Sequence, residues 1–201
     1  KKSKKDRRYF TIILGGKSMA IYITGDTHRD FGRVFTFCEE NETTTDDILV
    51  ILGDAGINYY CDAYDRSLKE QLAQLPITLF CVHGNHEERP FLLGYDEMEW
   101  HEGMVYYEEA YPNLFFAKDG EIFDFGVNNN IYKTIVIGGA YSVDKYYRLM
   151  RGWSWFSDEQ PNKEIKDFVE KQLDKNNWDI DIVLSHTCPK YYEPVEWFLS
   201  S

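Results

Sequence analysis

The chain has 201 residues, of which 43% are hydrophobic and 16% aromatic. That is enough apolar side chain for one domain around a single core, and too much for intrinsic disorder, collagen or a coiled coil. A formal net charge of -12 disfavours long nucleic acid as a partner unless a local basic patch exists, because such binding draws on cationic surface. No apolar run reaches the length of a membrane span. The four cysteines, Cys38, Cys61, Cys81 and Cys188, are scattered without a C-x-x-C pair, which points to a reduced, cytoplasmic compartment.

Residues 1–18 hold seven of the 22 Lys and Arg but a single acid, Asp6. They are expected to be a basic N-terminal extension, non-native or disordered, with Met19 as the natural start and the domain proper at 19–201. Five apolar runs follow that read as strands: Ala20–Thr24, Ile48–Leu52, Ile77–Val82, Ile131–Ile137 and Ile180–Leu184. They are short, rich in Ile and Val and bounded by Gly or polar residues, as suits strands buried on both faces. Helical patterns separate them. Phe31–Glu40 comes after the first. Ala63–Leu75 places Leu68, Leu72 and Leu75 on one face and stops at Pro76. Pro161–Asn176 spaces Ile165, Phe168, Val169 and Leu173 helically. Leu114–Ala117 and Glu121–Phe125 flank Lys118-Asp119-Gly120, a hairpin signal, and Asn128-Asn129-Asn130 reads as a turn. The aromatic, acidic stretch from Glu87 to Pro112 fits no element. The whole reads as an α/β domain with a mixed sheet or two packed sheets.

The chemistry sits at strand ends. Gly25-Asp26-Thr27-His28 follows the first apolar run and Gly53-Asp54-Ala55-Gly56 the second. His83-Gly84-Asn85-His86-Glu87 follows the third, and Ser185-His186 the last. The C-terminal ends of neighbouring strands line one edge, where α/β proteins build their sites. Carboxylate and amide oxygens with imidazole nitrogens suit Mn, Fe, Zn, Ni or Co and disfavour a cysteine-rich structural zinc. Asp26 and His28, two apart, can point the same way on an extended strand end. Asp54 has two oxygens with which to bridge. Singly, each Asp reads as a turn former or cap; together with Asn85, His86 and His186 they read as a metal centre.

The ordered series D-x-H, G-D-x-G, G-N-H-E and a later strand-borne His, running from Asp26 to Pro189, resembles the calcineurin-like metallophosphoesterase family. The resemblance implies an α/β fold, a four-layer β sandwich flanked by helices. It implies two divalent metal ions (Mn, Fe, Zn, Ni, Co or Mg), with Asp26 and His28 on the first, Asp54 bridging, and Asn85 and His186 on the second. It implies His86 as the catalytic histidine. The expected activity is hydrolysis of phosphate monoesters or diesters by a metal-activated hydroxide at the dinuclear site. The family pattern closes with G-H-x-H, which this chain lacks, so the domain is expected to be C-terminally truncated; a non-catalytic scaffold or binding module is the alternative. Arg29 stands where the family commonly has Gly, and either contacts substrate phosphate or points to solvent. Tyr141, Lys145 and Arg148, on the loop after the fourth apolar run, either select substrate or form an ordinary strand exit. Glu87 is expected to orient His86 or a ligand, and His83 to be structural.

Overall fold

The computed structural model describes residues 10–12, 19–127 and 130–189. The rest of the basic N-terminal segment, Asn128-Asn129 of the expected turn and residues 190–201 lie outside the described residues. The strands are β1 (Phe10–Ile12), β2 (Ile21–Thr24), β3 (Ile48–Ile51), β4 (Thr78–Cys81), β5 (Asp96–Trp100), β6 (Gly103–Tyr107), β7 (Leu114–Ala117), β8 (Ile122–Val127), β9 (Asn130–Ile137) and β10 (Ile182–Ser185). The helices are α1 (Gly32–Asn41), α2 (Ala63–Leu72), α3 (Lys145–Arg151) and α4 (Lys163–Lys175), with a short 3-10 helix at Pro90–Leu93.

Two sheets form. The larger runs β1-β2-β3-β4-β7-β6-β5, and the smaller runs β10-β9-β8. Strands β2, β3, β4 and β7 are mutually parallel. Antiparallel strands extend the sheet on both sides: β1 on β2, and the β6–β5 hairpin on β7. In the smaller sheet β9 pairs parallel with β10 and antiparallel with β8.

Alternation along β3 and β4 divides the core. Leu49, Ile51, Leu79 and Cys81 face α1 and α2, where Val34, Phe37, Cys38, Leu72 and Leu75 meet them. Ile48, Val50, Phe80 and Val82 face the smaller sheet and pack with Phe123, Phe125, Val136 and Leu184. A strand covered on both faces needs apolar residues at successive positions, which is why these runs are continuous rather than alternating. Phe80 is the hub of the inter-sheet layer, with ring centroids 4.9 Å from Phe123 and 5.1 Å from Trp100. Each such buried side chain stabilises the fold by about 1.5–3 kcal/mol. Helices α1 and α2 are the crossovers that parallel β2-β3-β4 require. Asp62 caps α2, accepting the Tyr64 N–H at 2.8 Å, and Asn162 caps α4, accepting that of Ile165 at 2.9 Å.

Lys118-Asp119-Gly120 is not a hairpin turn. The strands on either side of it belong to different sheets, and the chain crosses between them there. Buried Asp119 fixes the crossing. It meets Arg89 at 2.7 Å and accepts the Gly138 N–H at 2.7 Å, while Gly120, at φ +86, donates to the Val136 carbonyl. The unplaced stretch after Glu87 supplies the 3-10 helix and the β5–β6 hairpin. Within the basic segment, Phe10–Ile12 pairs with Ile21–Ile23.

A candidate metal centre at the strand ends

Strands β2, β3 and β4 lie side by side and parallel, so the turns that leave their C-terminal ends are neighbours. The backbone ties these turns together. His28 N–H donates to the Asp54 carbonyl at 2.9 Å, and Arg29 N–H to that of Ala55 at 3.1 Å. The Thr27 hydroxyl also donates to the Ala55 carbonyl. Three non-glycine residues in these turns hold left-handed backbone: His28 (φ 43), Arg29 (φ 69) and Asp54 (φ 49). Such conformations cost about 1–3 kcal/mol each and concentrate where geometry serves function.

All five candidate ligands converge. Asp54, 3% exposed, is central. Its Oδ1 accepts the backbone N–H groups of Asn85 and His86 at 2.8 and 2.9 Å and lies 3.5 Å from His186 Nε2. Its Oδ2 faces the other way, 3.7 Å from His28 Nε2 and 4.0 Å from His86 Nε2. Asp26 Oδ2 is 3.6 Å from His28 Nε2, and its Oδ1 is 3.9 Å from His186 Nδ1. Ligand atoms of His28, Asp54 and His86 lie within 4.8 Å of one another, so His86 enters the donor cluster as well as standing beside it. Its ring meets that of His28 edge-on, with centroids 5.1 Å apart.

The donor set suits a cation on a specific ground. His186 Nδ1 donates to the Leu52 carbonyl at 2.7 Å. In a neutral ring Nε2 then carries a lone pair, and it faces Asn85 Oδ1 at 2.9 Å. Asn85 is held in that orientation because its Nδ2 donates to Ser142 Oγ at 2.9 Å. Two acceptors at this separation repel unless a proton or a cation lies between them. Ligands about 2.1 Å from one ion at a right angle stand about 3 Å apart.

Glycine makes the approach possible. A Cβ at Gly53 would lie 2.2 Å from His186 Nδ1, and one at Gly84 would lie 2.1 Å from Asp54 Oδ1. His186 arrives from β10 of the smaller sheet, so both sheets contribute to the centre. Burial lowers the His86 pKa; Asp54 opposes the fall, and the Arg148 and His28 charges add to it. Glu87 is wholly buried and does not reach toward His86. Its two oxygens accept the Gly84 and Gly56 N–H groups at 2.9 and 3.2 Å, bracing both turns from below. Burial raises its carboxyl to about 8, against the pull of those two donors. His83 is buried with Nε2 unpartnered.

The residues offered as substrate contacts are dispersed. The Arg29 guanidinium is committed to the Gly56 carbonyl at 2.7 Å, Asp65 at 2.5 Å and the Tyr64 carbonyl at 3.1 Å, and it lies over the Tyr60 ring. Tyr141 is 58% exposed, and Lys145 Nζ stands 3.7 Å over the Trp155 ring. Arg148 is buried and donates from Nη1 to Ser142 Oγ at 3.1 Å. Sequence reasoning passed over Ser142. Its only signal was its place three residues after the Gly138-Gly139 pair that ends β9. A cavity of about 740 Å³ opens at the opposite ends of the strands, lined by Met19, Asp46, Thr78, Trp100 and His101 among others. It holds none of the ligand candidates.

Among the described residues no helix is long and apolar enough to cross a membrane. No curated protein and no solved structure gave a significant match to the chain. A family model described as calcineurin-like phosphoesterase matches residues 19–198. That match covers every strand end that feeds the centre and every strand except β1, and the chain therefore belongs to the calcineurin-like phosphoesterase family, in general metal-dependent enzymes acting on phosphate esters.

Proposed function

We propose that the chain hydrolyses phosphate monoesters or diesters at a dinuclear centre. The observation that carries this reading is the division of labour at Asp54. One of its oxygens faces His186 Nε2 and accepts the backbone N–H groups of Asn85 and His86, while the other faces the His28 and His86 rings. In this reading Asp26, His28 and Asp54 hold one cation, while Asp54, Asn85 and His186 hold the other. Divalent cations, when bound, make a water acidic enough to deprotonate near neutral pH and offset charge on the phosphoryl oxygens. The chain supplies the rest. Leu52 and Ser142 fix the His186 ring and the Asn85 amide, each through one hydrogen bond. Glu87 braces the turns that carry Asp54 and Asn85. His86, when protonated, would give its Nε2 proton to the departing alkoxide oxygen and recover one from solvent. Tyr141 and Lys145 are the proposed contacts to the leaving group.

The test is Asp54→Asn and His86→Ala, assayed with 4-nitrophenyl phosphate and bis(4-nitrophenyl) phosphate in the presence of manganese. Each variant is expected to lose at least about 100-fold in kcat. Unchanged turnover in both variants rejects the mechanism. Metal binding by the unaltered chain with no hydrolysis of either ester favours the non-catalytic scaffold instead.

A further inference from the structure

Arg148 has the largest fully buried side chain among the described residues, at 1% exposure. A guanidinium withdrawn from water costs several kcal/mol unless an anion compensates it. Arg89 and Lys69, the other buried Arg and Lys among the described residues, each have one, and so does half-buried Arg29. Arg89 meets Asp119 at 2.7 Å, Lys69 meets Glu108 at 2.5 Å, and Arg29 meets Asp65 at 2.5 Å. Arg148 has only the neutral Ser142 hydroxyl, and no carboxylate of the described residues lies within ion-pair distance. Its Nε and Nη2 are buried without a partner among the described residues. These two atoms form one edge of the guanidinium, the side-on fork that matches two oxygens of a single anion.

The position of the fork gives it a purpose. Ser142 Oγ accepts from Arg148 Nη1 at 3.1 Å and from Asn85 Nδ2 at 2.9 Å. The guanidinium is thus two hydrogen bonds from the Asn85 amide, and its charge is felt at the His86 imidazole. A cation without a counter-ion sits beside a cluster of donors that suits further cations. Only an anion shared between them satisfies both.

Resting on the phosphoesterase reading, we propose that Arg148 is a phosphoryl clamp. Its Nε–H and Nη2–H take two non-bridging oxygens of the group being transferred, and so select phosphomonoesters over diesters. A monoester presents three such oxygens and close to two negative charges near neutral pH. A diester presents two oxygens and one charge, so the fork and the centre must share each oxygen and divide less charge.

Inorganic phosphate is the probe. It is titrated calorimetrically into the metal-free and the manganese-loaded chain, for the unaltered protein, Arg148→Gln and Arg148→Lys. Manganese is titrated separately into each, and hydrolysis of the two nitrophenyl esters is compared. Arg148→Gln is expected to weaken phosphate at least about tenfold. It is expected to lower kcat/KM for the monoester by at least as much, to leave the diester within about threefold, and to leave manganese affinity unchanged. Arg148→Lys, which keeps the charge and loses the fork, is expected to fall between. Unchanged phosphate affinity in Arg148→Gln overturns the clamp. So does an equal loss on both esters, or a parallel loss of manganese binding. If Arg148→Gln shows no cooperative unfolding transition, Arg148→Lys decides, and full phosphate affinity there overturns it. If the unaltered chain cleaves neither ester, the phosphoesterase reading fails by itself, and the phosphate titrations still decide for or against the clamp.

Discussion

Gly53→Ala separates the two ways a glycine can matter at this centre. Residue 53 has φ +91, a region that costs an L-residue about 1–3 kcal/mol. The second cost is spatial. The new methyl would lie 2.2 Å from His186 Nδ1 and 2.4 Å from its Cγ. To reach ordinary contact near 3.4 Å the ring must withdraw by more than an ångström. Ligand distances tolerate about 0.2 Å, so His186 Nε2 would leave its place between Asn85 and Asp54. Manganese affinity at that position is expected to fall by at least about 100-fold, by analogy with the 10–100-fold that a lost supporting contact alone costs. Calorimetric titration of manganese reads the affinity, and urea unfolding reads the backbone strain. Gly94→Ala is the control. Its φ is +74, and a Cβ there meets nothing within 4 Å, so it bears the strain without the collision. It should lose stability and keep its manganese affinity. If Gly53→Ala binds manganese like the unaltered chain, the close approach of β10 to the Gly53 turn is not what places His186, and the reasoning fails.

Other outcomes follow from buried charge. Burial, with Arg89 and His186 adding to it, holds His83 well below the ordinary imidazole pKa. The folded chain therefore keeps His83 neutral, while the unfolded chain protonates it below about pH 6.5. Unfolding then takes up a proton, and stability falls as pH falls below that value, by up to about 1.4 kcal/mol per pH unit from this group. Urea titrations of metal-free protein between pH 7 and pH 5 should show a shallower loss in His83→Gln; identical slopes would count against it. Asp119→Ala leaves Arg89, itself 4% exposed, without its closest carboxylate and frees the Gly138 N–H. It should cost about 3–5 kcal/mol in urea unfolding, with partial recovery in the Arg89→Leu, Asp119→Ala double variant. A loss under about 1 kcal/mol would show that Asp158, 3.5 Å from Arg89 Nε, suffices.

The parts of the fold that were legible are those where burial dictates residue type. The runs that became β3 and β4 are apolar at consecutive positions because layers cover both faces, and that texture survives in a single sequence; β2, β9 and β10 carry the same texture but are only partly covered, with Ile131, Ile182 and Val183 exposed. Elements set by other forces were not visible. The β5–β6 hairpin turns at His101-Glu102, both in left-handed backbone at φ 49 and φ 66, without the Asn-Gly signal such turns usually carry. Helix α3 was missed because its pattern is inverted. Leu149 and Met150 are exposed, and the buried residue is Arg148. Lys118-Asp119-Gly120 has hairpin composition, yet Asp119 serves the Arg89 pair and steers the chain across to the second sheet. In the centre, residue types and order named the ligand candidates. Distances were needed to see that His86 shares Asp54 with His28, that Arg29 is bound into the Asp65 loop, and that Glu87 supports backbone.

The centre draws donors from two sheets whose shared layer is largely oily, pinned elsewhere by a few hydrogen bonds such as Gly139 N–H to the His83 carbonyl. An ion seated there acts as a rivet. Whatever free energy it releases on binding is also spent against separation of the layers, growing by about 1.4 kcal/mol for each tenfold of ion concentration above the dissociation constant. Cation supply would thereby bear on the stability of the sandwich as well as its chemistry, and β10, which among the described residues pairs with β9 alone, is the seam where that coupling would be felt first.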